Sequence, residues 1–418
     1  MHVGNAQHAT AESSDASVPV LVLKMHHGSL GIARSLGRLG VAVYGLAARR
    51  DAWAARSRYW RACFEWDVEN APPARSLDYL LGLGAWLGRC PLLIAVSDRT
   101  AEFVAEHAEA LSSTFRFPRN PYDLVTRLTS KREMYFLARR CGIPTPETEF
   151  PASRADVTES VERIRFPVML KGIDGLRLHA RTGRTMVIVR NASELLELYD
   201  RMEDPAHPNL MLQEYIPGGE DSVWMFNGYF DGESRCLVGF TGKKIRQTPV
   251  YTGSTSLGIL LRNEEVIATT ERFMKAIGYR GILDIGYRYD ARDGRYRVLD
   301  VNPRIGSTFR LFVDRDGLDV VRALYRDLTG QRVTQAAPLE GRRWIVEDQD
   351  LVSSYHYWRD GNLGILQWLL SLRGVREGAW FAWDDWKPFL QMCGSLMRSA
   401  GRWATRKLAF APARKAAS

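Results

Sequence analysis

The stretch 282–304 leaves the backbone few options. ILDIGYRYD (282–290) and RYRVLDVN (295–302) are two runs of strand-forming residues, and ARDG between them supplies the turn of a hairpin. Closing that hairpin lets the carboxylates of Asp284 and Asp300 reach one face close together. Asp300 and Asn302 stand two apart on one strand, so they point the same way. Two carboxylates and an amide oxygen on one face make a hard, oxygen-only site suited to Mg²⁺, which takes few protein ligands and leaves positions for phosphate oxygens. A polar strand end with solvated carboxylates fits the same residues equally well.

Two further segments carry charge or turns where chemistry needs them. Lys171 ends the apolar run FPVMLK (166–171), where an ammonium can lie under a phosphate as a point charge. The polar stretch after it, through Arg184, contains Gly172, Gly175 and Gly183 with Arg177, His179 and Arg181. It is expected to be a long loop joining two strands and able to close over a triphosphate, or else a solvated hairpin tip. In LQEYIPGGE (212–220) an apolar strand runs into a Pro-Gly-Gly turn, a hinge whose backbone can read a base while Glu220 reaches ribose hydroxyls.

Around these segments the pattern is mixed. PVLVLK, HHGSLGIARSLGRLG and VAVYGL read as strand, glycine turn, helix and strand. The full G-x-G-x-x-G fingerprint is absent, and Gly28 and Gly31 are read as marking a tight strand–helix turn rather than a phosphate site. Strands follow at 61–66 and 91–96, and this first lobe ends near residue 120 in FPRNPYD. A helix is predicted over 130–141, capped by Ser130, and others over SELLELYDRM and 263–277. Strands are predicted near 210–216, 222–230 and 235–242.

In this order the pieces resemble the ATP-grasp superfamily over about residues 19–330. The motifs that carry the resemblance are S-K at 130–131 before G-I-P-T-P, F-P-V-M-L-K, Q-E-Y-I-P-G-G-E-D-S-V, and D-I-G leading to D-V-N-P-R. Within the superfamily the chain looks closest to the carboxylate–amine ligases, a group similar to D-aspartate ligase and to part of the carbamoyl phosphate synthetase large subunit. The resemblance implies that Lys131 and Lys171 contact ATP phosphates, that Glu214 and Ile216 contact adenine through their backbones with Gln213 alongside, and that Glu220 binds ribose. It implies that Asp284, Asp300 and Asn302 hold one or two Mg²⁺ (or Mn²⁺), and that Arg304 faces the γ-phosphate. Lys244 and Arg246, alternating in GKKIRQTP (242–249), fall where related ligases place substrate and phosphate contacts, and Arg310 is a further anion-binding candidate. Asp300 stands where most of the superfamily has Glu, which shortens that arm by a methylene.

The fold class that follows is α/β and α+β. A parallel-sheet lobe (19–120) precedes a two-lobe ATP-grasp domain (121–330, divided near 212), and a helical C-terminal extension (331–418) ends the chain. The implied reaction activates a small-molecule carboxylate as an acyl phosphate and passes it to an amine, giving amide, ADP and phosphate. A non-catalytic ATP-binding regulatory or scaffold module is the alternative. Relatives often pair, so a homodimer is an expectation.

Composition removes other classes. Hydrophobic residues make up 45% and charged residues 25%, an ordinary globular balance. The net charge of +9 is concentrated at one end: seven of the 57 basic residues and none of the 48 acidic ones fall in 387–418. The remainder is near neutral, which argues against a nucleic-acid-binding body. The five cysteines form no metal-type or redox-type spacing and read as reduced thiols of a cytoplasmic protein. Residues 1–18 are small and polar, lack the features of a signal peptide, and are expected to be a disordered leader. From Trp386 onward, apolar residues at helical spacing and a row of arginines suit either docking onto the chain's own domain or peripheral contact of 386–410 with an anionic membrane.

Overall fold

The computed structural model describes residues 15–49 and 52–409, with the side chains of Glu220 and of 399–409 left out. The chain begins with a parallel sheet in the order β3-β2-β1-β4. Its strands are β1 (Val20–Val22), β2 (Val43–Ala47), β3 (Trp60–Glu65) and β4 (Leu92–Ile94), with α1 (His27–Gly37), α2 (Pro73–Leu87), α3 (Asp98–Glu106) and α4 (Ala108–Ser112) around them. The strands of such a sheet are covered on both faces, and β1 and β4 are accordingly apolar and buried throughout. The reading of residues 1–14 as disordered lies outside the described residues. Residues 15–18 are anchored: Val18 is buried, and its N–H and carbonyl both pair with the Tyr325 hydroxyl.

Two helices, α5 (Tyr122–Thr129) and α6 (Lys131–Arg140), lead into the middle of the chain. Ser130 caps α6 by accepting the Glu133 N–H, as its sequence position predicts. A small antiparallel sheet follows, ordered β5-β8-β6-β7, from β5 (Thr148–Glu149), β6 (Val168–Gly172), β7 (Met186–Val189) and β8 (Leu210–Glu214). It is covered by α7 (Arg154–Val161), α8 (Gly175–Thr182) and α9 (Ala192–Met202) around Leu170, Val189, Leu195 and Leu210.

Helix α8 corrects the expectation of a long polar loop after Lys171. The Asp174 side chain accepts the N–H groups of Leu176 and Arg177 and so caps the helix start. Gly183 ends it in the left-handed region at φ +72°, where glycine carries no steric penalty. Arg177 and Arg181 donate to the carbonyls of His207 and Glu203, so both are committed to their own lobe.

The large sheet has the order β13-β12-β9-β10-β11-β14-β15. Its strands are β9 (Val223–Phe230), β10 (Cys236–Thr248), β11 (Ser254–Leu260), β12 (Gly281–Asp290), β13 (Arg295–Asn302), β14 (Arg343–Ile345) and β15 (Val375–Gly378). All neighbours are antiparallel except β14 and β15. Helix α10 (Glu264–Ile277) covers one face with Phe226, Phe273, Leu283 and Val301, and α11 (Val320–Leu328) lies on the other with Tyr229, Phe240, Phe309 and Leu324.

The C-terminal region is helical, with α12 (Glu347–Arg359), α13 (Ile365–Ser371) and α14 (Lys387–Ala409), and it also contributes β14 and β15 to the main sheet. The acidic Glu347, Asp348 and Asp350 sit in the first turn of α12, where the helix dipole favours negative charge. The segment 378–385 closes on α1. The buried Arg34 donates to Asp385 Oδ2 at 2.9 Å and to the carbonyls of Ala379, Trp380 and Asp385. In α14, Phe389, Met392 and Cys393 pack on the core, while Leu390 and Met397 are exposed. Among the described residues, no helix is long and apolar enough to cross a membrane.

Candidate active site

The hairpin β12–β13 forms as its sequence dictates. Asp284 pairs with Asn302, and Gly286 pairs with Asp300. Strand period places Asp284, Asp300 and Asn302 on the same face, the one turned toward the N-terminal lobe. The Asn302 amide donates to Asp300 Oδ2 at 3.0 Å and to the Asp284 carbonyl at 3.2 Å. Two glycines make room for the acids. A Cβ on Gly286 would fall 2.3 Å from Asp300 Oδ1, and one on Gly306 would fall 2.5 Å from Asp284 Cγ. Burial pushes the Asp284 carboxyl up to about 6, opposed by Arg304 and assisted by Asp300. Among the described residues, no three His, Cys, Asp or Glu side chains gather as a metal-binding group. The donor set here is two acids plus the Asn302 amide, which fits the few protein ligands that Mg²⁺ takes.

Arg304 leaves this hairpin toward the first lobe. Its Nε donates to Asp98 Oδ1 at 2.9 Å and its Nη2 to Asn302 Oδ1 at 3.0 Å. Asp98 begins α3, so this arginine ties the acid pair to the parallel-sheet domain. Gly28 and Gly31 serve the same approach. They lie in the first turns of α1, where a Cβ would come within 2.8 Å of Ser307 Cα or of Arg310 Cγ. Their role is close packing, in line with the structural reading of that turn.

The small sheet presents cations toward the acids. Lys171 ends β6 and donates to Gln213 Oε1 at 3.0 Å. Lys131 opens α6 and donates to the carbonyls of Gly172 and Ile173 at 3.0 and 3.1 Å. Burial lowers the pKa of both, that of Lys171 to about 8, with the neighbouring Lys131 charge adding to the effect. Asp300 acts on both lysines in the opposite sense, so cations of one lobe and an acid of the other share one field. Between the lobes, Glu214 ends β8 and pairs with Arg292, while Arg288 donates to the carbonyls of Ile216 and Gly218 at 2.8 and 2.7 Å. The backbone of Glu220 opens a short 3₁₀ turn, Glu220–Ser222, and its side chain lies outside the described residues.

No protein-family profile matches the chain. Over 245 residues, 56% of the chain, it is 26% identical to D-aspartate ligase of Enterococcus faecium (strain Aus0004), covering 58% of that protein. It is 22% identical over 250 residues to the C-terminal section of the carbamoyl phosphate synthase large chain of Methanopyrus kandleri, 56% of the chain and 45% of that protein. The chain thus spans about half the length of the curated relatives it matches. Two solved structures superpose more broadly. L-amino acid ligase from Bacillus licheniformis aligns over 78% of this chain and 76% of its own, with TM-score 0.57 and 16% identity. N5-carboxyaminoimidazole synthetase from Staphylococcus aureus, complexed with ADP, aligns over 78% and 81%, with TM-score 0.60 and 11% identity. The chain has the ATP-grasp fold.

Within the ATP-grasp frame, Lys131, Lys171, Gln213, Glu214 and Ile216 belong to the small-sheet side, and Asp300, on one face with Asp284 and Asn302, acts on the two lysines from the large sheet. Lys244, on β10, donates to the Gly253 carbonyl at 3.0 Å and its charge reaches Asp284. Arg246 needs correction. A bulge interrupts β10 between Lys244 and Gln247, so simple alternation does not hold there. Arg246 is buried in a two-pronged pair with Asp350 of α12, both distances 2.8 Å, and its third arm meets Ser371. It is a structural tie to the C-terminal region. Arg310 likewise is buried between Asp319 and Glu377, the structural alternative for that residue.

Asp98, Gly286, Gly306 and Asn227 belong to this site without having been singled out by the sequence. The two glycines sit inside the quoted D-I-G and just after N-P-R, so their positions were visible and their reason was not. Asn227 lies in the apolar strand VWMFNGYF and gives no signal of its own.

Proposed function

We propose that this chain is an ATP- and Mg²⁺-dependent carboxylate–amine ligase that forms ADP. The observation that carries this is the meeting of Lys131 and Lys171 from one lobe with the Asp284, Asp300 and Asn302 face of the other. Binding alone needs the cations; the acid pair adds a seat for a metal between phosphates. Asp284, Asp300 and Asn302 would hold Mg²⁺, which when bound neutralises phosphate charge. Lys131, Lys171 and Arg304 offset the charge that develops as a carboxylate oxygen attacks the γ-phosphorus and ADP departs. An amine then attacks the acyl phosphate carbonyl, releasing phosphate and leaving an amide. The protein positions and neutralises, and no side chain is required as a covalent nucleophile.

The test is ADP release from Mg-ATP with pools of carboxylates and amines. Two of the similar proteins are named as ligases of amino acids, so amino acids lead the pools. Stimulation by one pair, abolished in a folded Asp300→Ala protein and in Asp284→Ala, supports the ligase. Binding of Mg-ATP without release in any pool favours the alternative of a regulatory ATP-binding module.

A peripheral contact with anionic membrane is a second proposal; the sequence reading put it in 386–410, where Phe389, Met392 and Cys393 pack on the core, and the exposed helices just before that segment favour a wider surface. Helix α13 has no buried residue, and Ile365 and Leu366 are 69% and 68% exposed. Tyr355 and Trp358 of α12 are also exposed, and Arg359, Arg373 and Arg376 lie nearby in sequence. Apolar and aromatic side chains beside cations suit the headgroup boundary of an acidic bilayer. Co-sedimentation with anionic vesicles is expected to weaken in Leu366→Glu and in a chain ending at Asp385. Equal binding by all three proteins overturns it, as does a dimer that the Leu366→Glu change dissociates.

A further inference from the structure

Asn227 stands in the centre of β9 with its side chain fully buried. Neither its Oδ1 nor its Nδ2 makes a well-formed hydrogen bond, although the amide acts on the Asp284 carboxyl and opposes the effect of burial there; among the described residues no other side chain has two such atoms. Burying an amide without partners is costly, and native proteins satisfy nearly all such groups with protein, water or an ion. An asparagine held this way at the middle of a seven-stranded sheet calls for a ligand.

Its place in the ladder says which one. Asn227 pairs directly with Asp284 of β12, and Asp284 pairs directly with Asn302 of β13. Three oxygen-bearing side chains therefore stand in one row across three strands, with Asp300 two residues along. Directly opposed residues have Cα atoms about 4.5–5.5 Å apart, so Asp284, in the middle of the row, is within reach of the side chain on either side. The neighbours of Asn227 on the same face, Met225 and Tyr229, belong to the apolar core and offer it nothing comparable.

We propose that the Asn227 amide oxygen belongs to the metal-binding set, as a contribution from a third strand. It rests on the reading of Asp284, Asp300 and Asn302 as a Mg²⁺ site. The amide already acts on Asp284, and its oxygen, which no protein group satisfies, is the atom that would turn to the ion.

The test separates a ligand from a merely structural residue, and it does not depend on turnover. Mn²⁺ binding is measured by electron paramagnetic resonance on the full-length protein with ADP present, and melting temperature is measured with and without the metal. Asn227→Leu replaces the amide by an apolar group of similar size. It is expected to weaken Mn²⁺ binding by about 10- to 100-fold and to shrink the gain in melting temperature that the metal gives. Asn227→Asp restores an oxygen ligand and is expected to recover binding. Unchanged Mn²⁺ affinity in Asn227→Leu overturns the proposal and points to a trapped water as the partner of the amide. A metal-induced gain in melting temperature as large in Asn227→Leu as in the parent also overturns it, because the amide then contributes nothing to the bound ion. Asp284→Asn with intact Mn²⁺ binding overturns the underlying site itself, a result distinct from both.

Discussion

Lys171 shows how one residue couples nucleotide to pH. Burial and the Lys131 charge hold its pKa at about 8, well below an ordinary lysine. A bound triphosphate favours the ammonium and drives that pKa back up, so binding takes up protons near pH 8. Nucleotide affinity is full below pH 8 and declines as pH rises through it. Calorimetry at pH 8 in buffers of different ionisation heat reports the proton uptake. Lys171→Met is expected to abolish the uptake and to lose about 1.5–3 kcal/mol of binding, the worth of a charge-assisted hydrogen bond. An uptake that persists in Lys171→Met assigns the proton to another group. At this scale the sequence told most where a short-range rule applies. Asp300 and Asn302 were legible because strand period is two, and Asp284 because its partner lies across a short turn. Arg246 was not, because a bulge in β10 broke the period and its partner Asp350 is far along the chain. Asn227 was invisible because its meaning depends on which strands flank β9.

Among the elements, the parallel lobe and the hairpin followed directly from apolar runs and turns. Helix α8 did not, although Asp174 and Gly183 are ordinary start and stop signals. Its glycines and arginines matched the picture of a phosphate loop and outweighed the caps. Strands β14 and β15 are only three and four residues long, too short for a periodic signal. They change what the C-terminal region is. It completes the main sheet, buries Trp344, and supplies Asp350 and Glu377 as counter-charges to the buried Arg246 and Arg310. A chain ending at residue 340 leaves the Arg246 guanidinium unpaired and strips Arg310 of one of its two carboxylates, Asp319 remaining, and removing one partner of a buried pair costs about 3–5 kcal/mol. That truncated chain is expected to lose cooperative melting and to be cleaved rapidly by trypsin. A sharp thermal transition at the full-length temperature instead marks the region as an independent appendage.

Over the whole molecule, the two grasping lobes meet where cations face acids, and the first lobe braces the acid hairpin through Asp98 and Arg304. The far end of the chain returns to the beginning, because the guanidinium of Arg34 in α1 finds its carboxylate only at Asp385. On a ribosome, the first sheet has all its strands once Ile94 has emerged. Its opening helix must then wait, carrying an unanswered charge in its packing face, until Asp385 is made. The parallel sheet thus has its strands long before its packing is finished. A nascent chain halted before residue 385 exposes that unfinished helix to whatever surveys incomplete proteins.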